Sequence, residues 1–251
     1  MNIKRNYWLI IILIICIFVP LVHSDSYQLY FEDANRAYLE GKYDVAAQKY
    51  QQLIENGAIS GEVYFNLGNS YYKLNQFGLA ILYYEKANRF LQGDEALEKN
   101  LKLARLRTID EIDPIPQLFL KMWWDKLINL FALEIYAWIT LVVFIITSVL
   151  IALNLVSIVN LNKWIWTTGG IFVFLLIIFL NKVYIFESSE FGIILSPKVS
   201  IVSEPNISGK EIFILHEGTK VEIKRSLDNW YEIKIADGKT GWLQTDTVET
   251  I

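Results

Sequence analysis

The sequence predicts a multidomain membrane protein: an all-α helical-repeat domain, then two transmembrane helices, then a small all-β barrel. Three observations carry this reading. A self-similarity with a fixed offset of 34 residues runs through the first part of the chain. Two apolar runs, each close to the roughly 20 residues that a hydrocarbon core demands, follow it. After the second run the pattern changes to short alternating segments separated by turn residues.

Composition sets the frame. Of 251 residues 53% are hydrophobic, more than an ordinary soluble domain carries. The net charge is −4 and no basic cluster offers a phosphate-neutralising stripe, so nucleic acid is not an expected partner. The single cysteine, Cys16, excludes an internal disulfide framework and a Cys-rich metal site.

At the amino terminus Lys4 and Arg5 precede an apolar stretch from Tyr7 to Val19, then Pro20 and Val22-His23-Ser24. These read as the n-region, h-region and cleavage site of an export signal over residues 1–24. Whether or not it is cut, the chain from Asp25 onward is expected on the far side of the membrane.

The repeat domain is expected over residues 25–113, with repeats at 27–60 and 61–94 and a capping helix at 95–107. The offset shows in Asn35/Asn69, Tyr38/Tyr72, Tyr43/Phe77, Ala46/Ala80 and Tyr50/Tyr84. Small residues at Ala34/Gly68 and Ala46/Ala80 let paired helices approach, and Tyr50 and Tyr84 fill the space beside them. Gly41 and Asn75 suit the turns within each pair. In the last segment Leu97, Leu101 and Ala104 face inward and cover an otherwise open apolar end.

The second copy, with Leu67, Gly68, Tyr71, Ala80, Tyr84 and Ala87, resembles the tetratricopeptide (TPR) consensus; the first departs from it at Ala34 and Leu53. The resemblance implies a peptide-binding groove formed by the first helix of each pair. Its positions here are Phe31, Asn35, Tyr38, Phe65, Asn69, Tyr72 and Lys73. Asn35 and Asn69 resemble asparagines that hold a terminal carboxylate in some TPR proteins, but Phe31 and Ala96 stand where the accompanying lysines would be. Structural asparagines facing water are the expectation.

Residues 114–134 read as a linker and an interfacial helix. Pro114 and Pro116 separate Gln117–Phe131 from what precedes it. Trp123 and Trp124 among Leu, Phe, Lys and Asp fit a helix lying in the headgroup zone, with membrane lipid as its partner. A helix packed on the spans for partner binding is the alternative.

The spans are placed at 135–157 and 164–183, joined by a cytoplasmic turn at 158–163. Trp138, Trp164, Trp166 and Tyr184 lie near their ends as anchors. A pair of spans returns the chain to the side it left, so both soluble parts are expected in the periplasm of a bacterial inner membrane. Lys121, Lys126 and Lys182 then flank the spans on the outer side.

The barrel is expected over 196–251, where Asp237-Gly238 signals a two-residue hairpin and closure would bury the short strands. Gly218, Val221, Ile223, Trp230-Tyr231 and Gly241-Trp242 resemble bacterial SH3-like domains. Trp230, Tyr231 and Trp242 are its candidate ligand-binding residues, although Trp230 fits the core better than a ligand platform. Gln244 and Thr247 stand where signalling SH3 domains carry Pro and Tyr, so proline-rich recognition is not expected.

No catalytic constellation is visible. The histidines are His23 in the signal and His216, read as a solvated surface residue, and no nucleophile or phosphate-binding motif accompanies them. The expectation is a non-enzymatic interaction protein without cofactor or metal. The order of parts resembles the BatE type of protein from aerotolerance (Bat) operons. That resemblance implies partners among neighbouring membrane proteins with von Willebrand A-like domains, plus a MoxR-type ATPase, and a role in assembly or envelope-stress tolerance. A wall sensor whose barrel binds peptidoglycan is the second functional expectation.

Overall fold

The computed structural model describes residues 24–116, 118–155, 161–188 and 190–251. Apart from Ser24, the expected export signal lies outside these residues, as does the first half of the expected cytoplasmic turn.

Five helices build the repeat domain: α1 (Ser24–Leu39), α2 (Tyr43–Glu55), α3 (Gly61–Lys73), α4 (Phe77–Asn88) and α5 (Glu95–Arg105). The repeat extends to the punctuation between helices. Gly41 and Asn75, at equivalent places, take φ of 77° and 61° to end the first helix of each pair. Ser60 and Asp94, also equivalent, cap α3 and α5 by accepting from the backbone N–H groups of Val63 (3.2 Å) and Leu97 (2.8 Å). Ala34, Ala46 and Ala80 are fully buried, as are Tyr50 and Tyr84 to within 1%. At Gly68 a Cβ would lie 2.6 Å from the Tyr84 ring, which is why the helix pair needs glycine there. The capping helix packs through Leu97, Leu101 and Ala104 as expected and ends at Arg105.

The barrel is a seven-stranded antiparallel sheet. Its strands are β1 (Glu190–Ile194), β2 (Lys198–Val202), β3 (Glu211–His216), β4 (Lys220–Leu227), β5 (Trp230–Lys234), β6 (Thr240–Gln244) and β7 (Val248–Thr250). The order is β3-β2-β6-β5-β4-β1-β7. The expected start at Ser196 is corrected to Glu190: β1 pairs with both β4 and β7, and its Ile193 and Ile194 are fully buried. The hairpin forms, but the expected two-residue turn at Asp237-Gly238 is corrected to a three-residue one. Ala236 and Asp237 are its centre, closed by the Gly238 N–H donating to Ile235 O at 2.9 Å, and Gly238 follows at φ 89° before the Ile235 N–H donates to Lys239 O at 3.0 Å. The core is aliphatic, built around Ile194, Ile201, Leu215, Ile233 and Leu243.

The segment that links α5 to the next helix, expected as the end of the repeat domain up to 113 and as linker from 114, is docked on the barrel. Asp110 accepts from the His216 backbone N–H (2.6 Å) and from the Thr219 hydroxyl (2.6 Å), and its other oxygen meets the His216 ring at 2.7 Å. His216 is therefore corrected from a solvated residue to a fastening of the linker. Further along, Ile112 packs against the barrel core and the Ile115 N–H donates to Ala236 O at 3.2 Å.

The barrel in turn is fixed to the second helix of the second repeat. The Gly78 N–H donates to Glu217 Oε1 at 3.0 Å, and Arg89 donates to Ile251 O at 2.8 Å. Glu85, 3% exposed, accepts from Arg105 and from Lys220, while Ile193 of β1 joins the apolar core of the repeat. The soluble parts thus share a continuous packed boundary.

Among the described residues two helices are long and apolar enough to cross a membrane: α7 (Leu133–Leu155) and α8 (Asn162–Ser188). Both begin two residues earlier than the sequence suggests, and α8 runs five residues further, because a helix need not stop where its apolar stretch does. They lie antiparallel with Phe144 and Phe172 in contact, ring centroids 5.4 Å apart. The expected interfacial helix is α6 (Phe119–Ile128), which packs on α8 through Trp124, Leu127 and Ile128. Lys182, expected to flank the second span, is 4% exposed and fully engaged by protein groups.

Candidate partner-binding groove

The first helices α1, α3 and α5 are tied by a repeated hydrogen-bond ladder. Asn35 Oδ1 accepts from the Tyr50 hydroxyl at 2.5 Å and from Asn66 Nδ2 at 3.0 Å. Thirty-four residues on, Asn69 Oδ1 accepts from the Tyr84 hydroxyl and from Asn100 Nδ2, both at 2.8 Å. Each asparagine therefore joins its own second helix and the next first helix. The structural reading of these residues is right in kind, but they bond protein groups where water was expected. The ladder uses only Oδ1 of each; a carboxylate would be met by Nδ2, the donor side of the amide. The sequence reading missed Asn66 and Asn100, although their own offset of 34 was there to be found.

Aromatic contacts follow the same period. Phe31 meets Tyr50 and Phe65 meets Tyr84, with centroids 6.1 and 5.9 Å apart. Tyr38 meets Tyr43 and Tyr72 meets Phe77 edge-on at 5.2 and 5.6 Å. Burial pushes the Tyr50 hydroxyl up to about 12, outweighing the lowering by Asn66, and pushes Tyr84 higher. Both hydroxyls are thus protonated donors at neutral pH.

Of the seven expected groove residues, Tyr38, Asn69, Tyr72 and Lys73 come together around one pocket of 290 Å³, with Tyr84, Asn100 and Leu103 completing its wall. Lys73 is exposed in the last turn of α3, where a cation suits the helix dipole. Phe31 lines a separate hollow of 450 Å³ with Tyr27, Leu53 and Val63 at the first end of the array. Phe65 lies against Tyr84, and Asn35 sits in the ladder.

In the barrel the three expected ligand-binding residues divide between two faces. Tyr231 packs against the core. Trp230 and Trp242 alternate with core residues and point outward, on a diagonal set by the pairs Trp230↔Gln244 and Glu232↔Trp242. Trp230, expected to fit the core, is a half-buried outer-face residue opposite Leu227, which is half exposed. Trp242 is 9% exposed, with the Arg225 guanidinium 5.5 Å above its ring and Arg225 Nε held by Glu232 at 2.5 Å. Among the described residues no group of three or more His, Cys, Asp and Glu side chains is placed to hold a metal ion.

Comparison with protein families gives two matches. Residues 61–90 match the tetratricopeptide repeat and residues 201–249 match the bacterial SH3 domain. A comparison with curated proteins found no match. Helical repeats of the TPR kind and SH3-like barrels are, as a rule, interaction modules without catalytic groups, and this chain joins one of each to two apolar helices.

Proposed function

We propose that this protein is a membrane-anchored scaffold whose TPR groove takes an extended segment of a partner protein while α7 and α8 hold it in a bacterial inner membrane. The supporting observation is the division of labour on the repeat. The barrel attaches along α4 and just past its end, through Gly78, Glu85 and Arg89. The pocket walled by Tyr38, Tyr72 and Lys73 is left open on the first-helix side. Aromatic walls with the exposed cation of Lys73 suit an extended peptide segment.

In this reading both soluble parts are periplasmic, because two spans return the chain to one side. The resemblance to BatE-type proteins then supplies the partner class, neighbouring membrane proteins with von Willebrand A-like domains, and a role in envelope-stress tolerance or aerotolerance. The test is photo-cross-linking from position 38 in intact cells, with and without Tyr72→Ala and Lys73→Glu, leaving the structural Asn69 in place. A partner band lost in the double variant is expected; a band that persists unchanged removes the groove from the mechanism.

A second reading, binding of peptidoglycan by the barrel, is favoured by the bacterial SH3 match and by the outward Trp230 beside Leu227. Retention of the full chain on purified sacculi, diminished by Trp230→Ala, is its expected outcome. No retention eliminates it.

A further inference from the structure

Helix α6 has one apolar face, and only its carboxy-terminal part is covered. Trp124, Leu127 and Ile128 pack on Ile178 and Phe179 of α8 and on Tyr136 of α7. Toward its amino-terminal end Phe119, Leu120 and Trp123, and just beyond its last turn Leu130, are 78%, 76%, 56% and 60% exposed. The covered part also marks a depth. Ile178 precedes Ile185, the end of the apolar stretch of α8, by two helical turns, which at ~1.5 Å per residue is about 10 Å along the axis. A helix packed there lies below the outer end of that stretch, at about the 5–10 Å immersion typical of interfacial amphipathic helices.

Lys182 lies less than one turn before Ile185. A cation at that level is costly unless protein groups surround it. They do: Lys182 Nζ donates to Ile128 O at 2.9 Å, to Phe131 O at 2.7 Å and to Gln92 Oε1 at 2.6 Å, and lies 5.6 Å from the centre of the Tyr136 ring. Ile128 is the last residue of α6, where unpaired C=O groups and the helix dipole both favour a cation, and Phe131 lies in the short connection to α7. Gln92 belongs to the turn between α4 and α5. One ammonium group therefore joins the membrane pair, the surface helix and the repeat domain.

We propose that α6 is a lipid seat. Phe119, Leu120, Trp123 and Leu130 enter the headgroup–acyl boundary of the leaflet from which α7 starts, and the Lys182–Gln92 contact holds the repeat domain on that seat. The occupant is lipid because exposed apolar residues continue from this helix through Leu130 and Phe131 to Ile135, Trp138 and Ile139 on the exposed surface of α7. The inference rests on reading α7 and α8 as spans. Its consequence is a groove held at a fixed height above the bilayer, suited to a partner segment that also emerges from the membrane.

The test uses the full chain with Cys16→Ser in vesicles of three parts phosphatidylethanolamine to one part phosphatidylglycerol. An environment-sensitive fluorophore is placed on one cysteine at a time: Leu120→Cys, Val142→Cys on the exposed face of α7, or Glu95→Cys beside the Gln92 turn. Position 142 should be quenched best by lipids brominated deep in the acyl chain, and position 120 about twofold better by bromines near the headgroup than by deep ones. Quenching at 142 without quenching at 120 overturns the seat, whether α6 then meets water, a second copy or another protein. No quenching at 142 removes the spans and with them the premise. Gln92→Ala should roughly halve quenching of position 95 by a headgroup nitroxide and leave position 120 unchanged. An unchanged signal at 95 overturns the latch.

Discussion

Glu85 of the repeat and Lys220 of the barrel meet at 2.7 Å across 135 residues of sequence, and the carboxylate is 3% exposed. Its second oxygen takes Arg105. One buried anion is thus shared by two cations whose side chains are 52% and 35% exposed. Removing a buried partner costs about 3–5 kcal/mol where the other charge is also buried, and less here because water can recover both cations. Glu85→Ala is expected to weaken docking of the barrel by about 1–3 kcal/mol. Limited proteolysis should then cut within 106–116 several times faster, with the helical content of the repeat retained.

Gly68 gives a second prediction, on packing alone. A methyl group there would sit 2.6 Å from the Tyr84 ring, which is 1% exposed and has no room to retreat. Gly68→Ala should cost about 1–3 kcal/mol by overpacking, against the gain of under 1 kcal/mol that the same change brings in an open helix. Thermal unfolding in detergent measures the difference. Gly93→Ala, at φ 79° with open space around it, separates backbone strain from clash.

The ladder predicts unequal effects from its two sides. Tyr84→Phe leaves Asn69 Oδ1 with Asn100 and removes one hydrogen bond, so about 1 kcal/mol should be lost. Asn69→Ala strands both the Tyr84 hydroxyl and the Asn100 amide, and about 2 kcal/mol or more is expected. The two changes together should cost less than their sum, because they share one bond. Denaturant titration of the three variants tests this. An additive result would mean that the bond contributes nothing.

How far each feature could be read in advance follows from where its determinants lie. Side chains repeated at a fixed offset revealed the helix pairs, the buried tyrosines and most of the pocket wall. Asn66 and Asn100 obey the same offset, but a repeated amide does not by itself show that it bonds the asparagine 31 residues before it. β1 follows directly on an apolar helix, so Phe191-Gly192-Ile193-Ile194 reads as its tail, and only pairing with β4 and β7 reveals a strand. Lys182 is satisfied mainly by backbone carbonyls, which leave no mark in a sequence. Trp230 and Tyr231 are adjacent, so strand alternation had to separate them; size and apolarity favoured Trp230 for the core, but it is Tyr231 that turns inward.

Asp110 and His216 are the clearest long-range pairing, and they carry a pH dependence whose sign can be worked out. Burial alone would raise the Asp110 carboxyl. Hydrogen bonds from the Thr219 hydroxyl and from the His216 ring and backbone N–H outweigh it, so the group is held below its ordinary 3.8. A carboxyl depressed in the folded state stabilises that state fully above its unfolded value near 3.8, and the contribution fades as pH falls through the lower folded value. The linker should therefore stay on the barrel at pH 5 and begin to release below about pH 4. Asp110→Asn should show linker mobility already at neutral pH and no further acid step from this site. Hydrogen exchange at the amides of Ile115 and His216, followed from pH 6 to about pH 3 with the intrinsic rate divided out, measures both effects. Protection in the wild type that is flat through this window would mean that the carboxylate does not fasten the linker.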